Sequence, residues 1–218
     1  MIRVLFVSGG VLNHGGITTH MMNYYRNFDC NKVQIDFAVH GGKGVFDEEI
    51  KSRGGKVFYV PAKKENPVKN YTELIKIFKQ YSIVHCHMDG MNGMVLGMAK
   101  KAGVPIRISH SHNTEHLTCN QLKLAIHEHY KRMIPKTATH LWCCSSEAGR
   151  WLYGSRKFRV IPNAFDIRKY RFCQDKRDRL RSAYSCEDKY VIGHVGRLDY
   201  QKNQEYLLRI FREAIRGG

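Results

Sequence analysis

Short apolar runs recur at residues 2–7, 33–39, 56–60, 83–86, 105–109, 139–143 and 158–161, separated by longer polar-rich stretches. Runs of this length, rich in Val, Ile and aromatic residues, read as buried strands. Between them the hydrophobic period changes. Tyr71, Leu74, Ile75 and Phe78 recur at i, i+3, i+4 and i+7, as do Leu122, Ala125 or Ile126, His129 and Met133. These stripes predict amphipathic helices whose apolar faces cover the strands. Ser145 and Ser146 are good helix N-caps, with Glu147 placed to favour a helix start. Alternating strand and helix predicts an α/β fold, a parallel sheet with crossover helices on both faces.

The pattern is interrupted after residue 161. Pro162-Asn163 is a turn signal, and residues 168–181 are dense in charge and poor in aliphatic side chains. The chain therefore divides into a domain at 1–164, a connection at 165–188 and the opening of a second domain at 189–218. In the last part, residues 190–195 read as a strand, Gly196 as a turn, and Leu207, Leu208, Phe211, Ala214 and Ile215 as the apolar stripe of a helix. One strand and one helix cannot enclose a core. The sequence is thus expected to be part of a longer protein.

Composition narrows the partners. Lys and Arg total 36 against 19 Asp and Glu, a formal charge of +17, which predicts attraction to phosphate-bearing molecules. Charge alone does not separate nucleic acid, anionic lipid and nucleotide sugars. The seven cysteines are odd in number and irregularly spaced, with Cys143 beside Cys144, so free thiols in a reducing cytoplasm are expected. The apolar run in MIRVLFVSGG ends at Val7, too short for a signal peptide or a membrane span. Any membrane contact is expected to be peripheral, at the inner face of the plasma membrane.

Four segments carry candidate chemistry. Gly9-Gly10 and Gly15-Gly16 lie between the first strand and a helix; glycines there let amides approach a diphosphate at a helix N-terminus, although a tight strand-to-helix turn explains them equally well. His85-Cys86-His87 and His110-Ser111-His112 end two strands, so each histidine pair points to one face and the middle residue to the other. In a parallel sheet the strand ends line the ligand crevice, and these imidazoles can converge there, on a metal or on sugar hydroxyls. In GHVGRLDYQKN, Arg197 and Lys202 flank a loop before a helix, where two cations meet a phosphate pair. In VIPNAFD, Asn163 and Asp166 are expected to cap neighbouring backbone, a structural role.

Taken in order, GGITTHMMNYYRNF, ISHSHNT, VIPNAFD and GHVGRLDYQKNQEYLL resemble the retaining GT-B glycosyltransferases of family GT4, in particular capsular and exopolysaccharide members. The resemblance runs the length of the chain and implies a Rossmann-like acceptor domain facing a second, nucleotide-sugar domain. It further implies that Gly15 and Gly16 approach the donor diphosphate and that Arg197 and Lys202 bind it. The cleft histidine falls on His110 or His112, with His112 preferred. No metal and no cofactor is expected; the partners are a nucleotide sugar and a glycan or lipid-linked acceptor, with no nucleic acid. The family's carboxyl-terminal Glu-rich motif has no counterpart before Gly218, so this chain alone is expected neither to hold donor tightly nor to turn over. Two other readings are a metal-dependent hydrolase built on His85, His87, His110 and His112, with Asp89 and Glu115 as its nearest carboxylates, and a nucleic-acid binder without a recognised motif.

Overall fold

Seven parallel strands, β1 (Ile2–Ser8), β2 (Val33–His40), β3 (Val57–Val60), β4 (Ile83–His87), β5 (Ile106–Ser111), β6 (His140–Cys143) and β7 (Arg159–Val160), form one sheet in the order β3-β2-β1-β4-β5-β6-β7. The structure, a computed structural model, describes residues 1–198 and 202–216. It comprises two compact units, Met1–Phe165 and Asp166–Gly218, and the sheet belongs to the first.

Six helices connect the strands: α1 (Gly16–Asn27), α2 (Asp47–Ser52), α3 (Pro67–Phe78), α4 (Asn92–Lys101), α5 (Gln121–Thr137) and α6 (Ser146–Tyr153). Strand alternation sends Leu5, Val7, Ala38, Val84 and Cys86 to one face, where they pack with Leu74, Phe78, Val95, Leu96 and Ala99 of α3 and α4. Phe6, Ile35, Phe37 and Val39 point to the other face and meet Met21, Met22 and Tyr25 of α1 and Ile50 of α2. Each large side chain fully buried in these layers contributes about 1.5–3 kcal/mol. A third cluster, Ile134, Cys143, Ala148, Leu152 and Tyr153, joins α5 and α6 to β6.

Local chemistry fixes the helix starts. Asn66 Oδ1 accepts from the Lys69 amide at 2.9 Å ahead of Pro67, and Asn120 Oδ1 accepts from that of Lys123 at 3.0 Å. Ser145 Oγ caps α6 by accepting from the Ala148 amide at 3.2 Å, each such cap being worth about 1 kcal/mol. The stripe expected on α5, Leu122, Ala125 or Ile126, His129 and Met133, does not face the core: none of these residues is buried, and the buried ones are Ile134 and Thr137. Leu122 is 72 % and Ile126 41 % exposed, whereas Ile134 is fully buried, because α5 meets the core through its carboxyl-terminal turns.

Strand order reverses between β1 and β4, so the connections leaving their carboxyl ends run to opposite sides and open a crevice there, the usual ligand position in such sheets. On the α1 side the sheet also borders an apolar cavity of about 450 Å³ lined by Val4, Phe6, Met21, Ile83, Ile108 and Trp142 together with several histidines.

The second unit holds a 3₁₀ turn at Ile167–Tyr170, α7 (Gln174–Ala183) and α8 (Gln204–Arg216). The charged stretch read as a connection thus folds partly as a helix. Residues 190–195, expected to form a strand, have none in the structure. A strand requires a ladder partner, and no described residue of this unit supplies one. The apolar stripe of α8 does form, with Leu208, Phe211 and Ile215 exposed.

Candidate active site

At the carboxyl ends of β4 and β5, alternation places His85 and His87 on one face and Cys86 in the opposite core. In the same way His110 and His112 share a face, while Ser111 Oγ donates to the Ala148 carbonyl at 2.8 Å on the other. The two pairs interlock. His85 Nε2 lies 3.0 Å from His110 Nδ1, and His87 Nδ1 lies 2.8 Å from His112 Nε2. A fifth imidazole, His20, enters from α1 with its ring centroid 4.8 Å from His110 and 4.9 Å from His112. His110 and His112 stack at 4.5 Å. His110 is 0 % exposed, and His20, His85 and His87 are also buried, whereas His112 is half-buried.

Burial holds all five rings below the usual histidine range, because a charged ring would lose its hydration; neighbouring rings add repulsion at His85, His87, His110 and His112, whereas the Asn163 contact opposes the shift at His20. His112 is pushed down to about 3. The rings are therefore neutral near pH 7, each with one N–H and one lone pair. Nε2 of His87 and Nε2 of His110 are buried and have no hydrogen-bond partner.

Supporting contacts set these rings in place. Asp89, with φ 46, adopts a left-handed conformation that costs a non-glycine residue about 1–3 kcal/mol. There its Oδ1 accepts from the His112 amide at 2.7 Å and its Oδ2 from Asn113 Nδ2 at 2.6 Å. Asn92 Nδ2 donates to Ser109 Oγ at 2.8 Å, and its Oδ1 accepts from the Met88 amide at 2.8 Å, tying the tips of β4 and β5 together. Segment 162–164 is strapped to α1: Tyr24 Oη donates to the Pro162 carbonyl at 2.7 Å and Asn23 Nδ2 to that of Ala164 at 2.6 Å.

Asn163 Oδ1 lies 2.9 Å from His20 Nδ1. The role expected for Asn163, capping nearby backbone, is thus corrected to holding an imidazole 143 positions away. Asp166 does cap, its Oδ1 accepting from the Arg168 amide at 3.1 Å. The histidine quartet named for a hydrolase also changes. His20 joins His87, His110 and His112 in the closest group, with His85 hydrogen-bonded behind His110. Among the described residues no carboxylate belongs to that group, Asp89 being engaged with the 112–113 backbone and Asn113, and Glu115 being exposed. The carboxylate partner that the hydrolase reading called for is therefore not in the group among the described residues.

Gly15 is the N-cap of α1 and supplies no side-chain cap, and Gly16 begins the helix. A Cβ at Gly16 would meet nothing within 4 Å, so the first turn of α1 borders open space. The neighbouring loop is fixed from below: a Cβ at Gly44 would stand 2.6 Å from the carbonyl oxygen of the fully buried Leu12. In the second unit, Arg197 and Lys202 are exposed. Gly196 lies against the stem of Lys202, where a Cβ would be 3.2 Å from Cγ, and Gln204 Nε2 donates to the Arg197 carbonyl at 2.6 Å. Asp199, Tyr200 and Gln201 of the same motif lie outside the described residues.

His20 was not among the residues expected here. Its signal was present, since Ile17, His20, Met21 and Tyr24 form an i, i+3, i+4, i+7 stripe.

Similarity to known proteins bears on this arrangement. A sequence profile of Glycosyltransferase Family 4 matches residues 14–169. The chain is 37 % identical over 223 residues to the protein named "Putative glycosyltransferase EpsF" of Bacillus subtilis (strain 168), covering 95 % of this chain and 57 % of that protein. It is 25 % identical over 216 residues to the capsular polysaccharide biosynthesis glycosyltransferase CapH of Staphylococcus aureus, covering 96 % and 57 %. The chain thus spans just over half the length of these relatives. Among solved structures, Anabaena Alr3699/HepE in complex with UDP superposes with a TM-score of 0.74 at 14 % identity, covering 98 % of this chain and 58 % of that one. The same protein with UDP-glucose gives 0.72 at 17 % identity, with the same coverage. The Rossmann-like sheet expected from the sequence is therefore the fold, and the chain belongs to glycosyltransferase family 4.

Proposed function

We propose that the protein of which this chain forms part transfers a hexose from a nucleoside-diphosphate sugar to a glycan or lipid-linked acceptor in cell-surface polysaccharide synthesis, with retention of anomeric configuration. The observation that carries this reading is the nest of neutral imidazoles at the carboxyl ends of β4 and β5, in a chain of this family. Neutral rings suit hydroxyl groups, donating from N–H and accepting at the lone pair. His112 is the member we assign to the donor sugar, because His110 is fully enclosed and His112 is half-buried.

Departure of the nucleoside diphosphate develops negative charge, which fixed donors and cations stabilise. In the first unit the first-turn amides at Gly15 and Gly16, without a side-chain cap, suit that role. In the second, Arg197 and Lys202 do. The name of CapH supports a polysaccharide product, and the UDP and UDP-glucose complexes of HepE support a uridine nucleotide as the first donor to try.

The test is transfer by the intact protein from a panel of nucleoside-diphosphate hexoses, with the product anomer read by NMR. Retention is expected, and His112→Ala should lower kcat by about 100-fold while Lys202→Ala mainly raises KM. Inversion at the anomeric carbon would remove the retaining assignment; no transfer from any donor would remove the proposal.

A further inference from the structure

We propose that His20, His87 and His110 form a binding site for one borderline divalent transition-metal ion of the zinc class. The site is built wholly from side chains of the first unit. Ring nitrogens of these three residues and of His112 lie within 4.8 Å of one another. Small side-chain rotations from that spacing reach the 2.0–2.1 Å bonds that zinc makes to imidazole.

The hydrogen bonds fit one set of tautomers. If Nδ1–H of His20 donates to Asn163 Oδ1, Nδ1–H of His87 to His112 Nε2, and Nδ1–H of His110 to His85 Nε2, every Nδ1 is satisfied. Each of the three rings is then left with a lone pair on Nε2. Two of those atoms, in His87 and His110, are the buried nitrogens that lack a partner. An imidazole ligand normally donates its second N–H to an acceptor behind it, which fixes the ring and raises its basicity. Here Asn163, His112 and His85 are those acceptors.

Three imidazoles without a carboxylate select zinc, cobalt, nickel or copper over magnesium or calcium, which require oxygen ligands. They also leave a fourth position open. His112 lies beside it, within the same 4.8 Å group. The site is thus distinct in chemistry from a magnesium ion bridging a diphosphate, and the proposal does not rest on the transfer reading.

Cobalt(II) titration of the purified metal-free protein at pH 7.5, followed by visible absorbance and displaced by zinc, tests it. We expect one ion per chain with the intense d–d bands of a four-coordinate site. His87→Gln should weaken binding at least 100-fold. Asn163→Ala changes an exposed residue that acts only from behind His20, so it should fold normally and weaken binding by about 10- to 100-fold. His140→Gln, an exposed histidine outside the nest, should bind as wild type. Absence of saturable one-to-one binding by the wild-type protein overturns the proposal, as does wild-type affinity in both His87→Gln and Asn163→Ala. Loss of sugar transfer with metal binding intact would sink the functional reading and leave this one standing.

Discussion

Five neutral imidazoles in one nest make the protein sensitive to acid. For each ring the folded pKa lies below the unfolded value of about 6.5, so below that pH the unfolded chain binds more protons than the folded one. Stability is fully present above about pH 6.5 and is lost as pH falls, for His112 over the window from 6.5 down to about 3. The expected Tm is flat from pH 8 to 7 and drops steeply below pH 6. His112→Gln should give a shallower slope, measured by circular dichroism melts across that range; an unchanged slope would show that this ring is not neutral by burial. Much of the nest was legible from residues alone, since a period of two puts both members of each His-x-His on one face. The strap was not. Asn163 follows a proline in a turn, where its side chain reads as a local cap, and nothing local reveals a partner on the first helix.

Among the elements, α4 and α5 approach most closely where α4 has no side chain. A Cβ at Gly93 would stand 1.9 Å from the Tyr130 carbonyl oxygen, which is backbone and cannot swing away, whereas one at Gly97 would stand 3.5 Å from Thr137 Cγ2, an ordinary contact. Gly93→Ala should therefore force the helices apart and cost about 1–3 kcal/mol or more. Gly97→Ala should be neutral or stabilising by up to about 1 kcal/mol through helix propensity. Urea unfolding of the two variants decides it, and equal midpoints would refute the close approach. All seven strands of the sheet were legible to within two residues at either end; in β1, β2, β4 and β5 this is because runs of buried β-branched residues have few other uses. The covering of α5 and the fate of residues 190–195 were not. On α5 the apolar period picked a side that stays outside while Ile134 and Thr137 on another side reach the core, and an apolar run becomes a strand only when another strand accepts its hydrogen bonds.

Over the whole molecule, the excess of basic residues gives the chain a formal charge of +17, and no helix among the described residues is long and apolar enough to cross a membrane. We expect the protein to sediment with vesicles containing phosphatidylserine and not with neutral phosphatidylcholine vesicles. Each basic residue held near such a surface contributes about 1 kcal/mol, and raising the salt from 0.1 to 0.5 M should release the protein as screening shortens the range. Binding that is indifferent to salt or to lipid charge would exclude this mode of attachment. The sheet's strand order has its own consequence during synthesis on the ribosome. Of this sheet's strands the earliest made, β1, lies in its interior, β2 and β3 are laid beside it in turn, and β4 to β7 then extend the opposite edge in the order they are made. Only one step, from β3 across to β4 by way of α3, passes over finished strands. At every step, that one included, the new strand meets an edge already waiting for it, so a sheet of parallel strands, ordinarily slow to assemble, is built outward from its earliest strand.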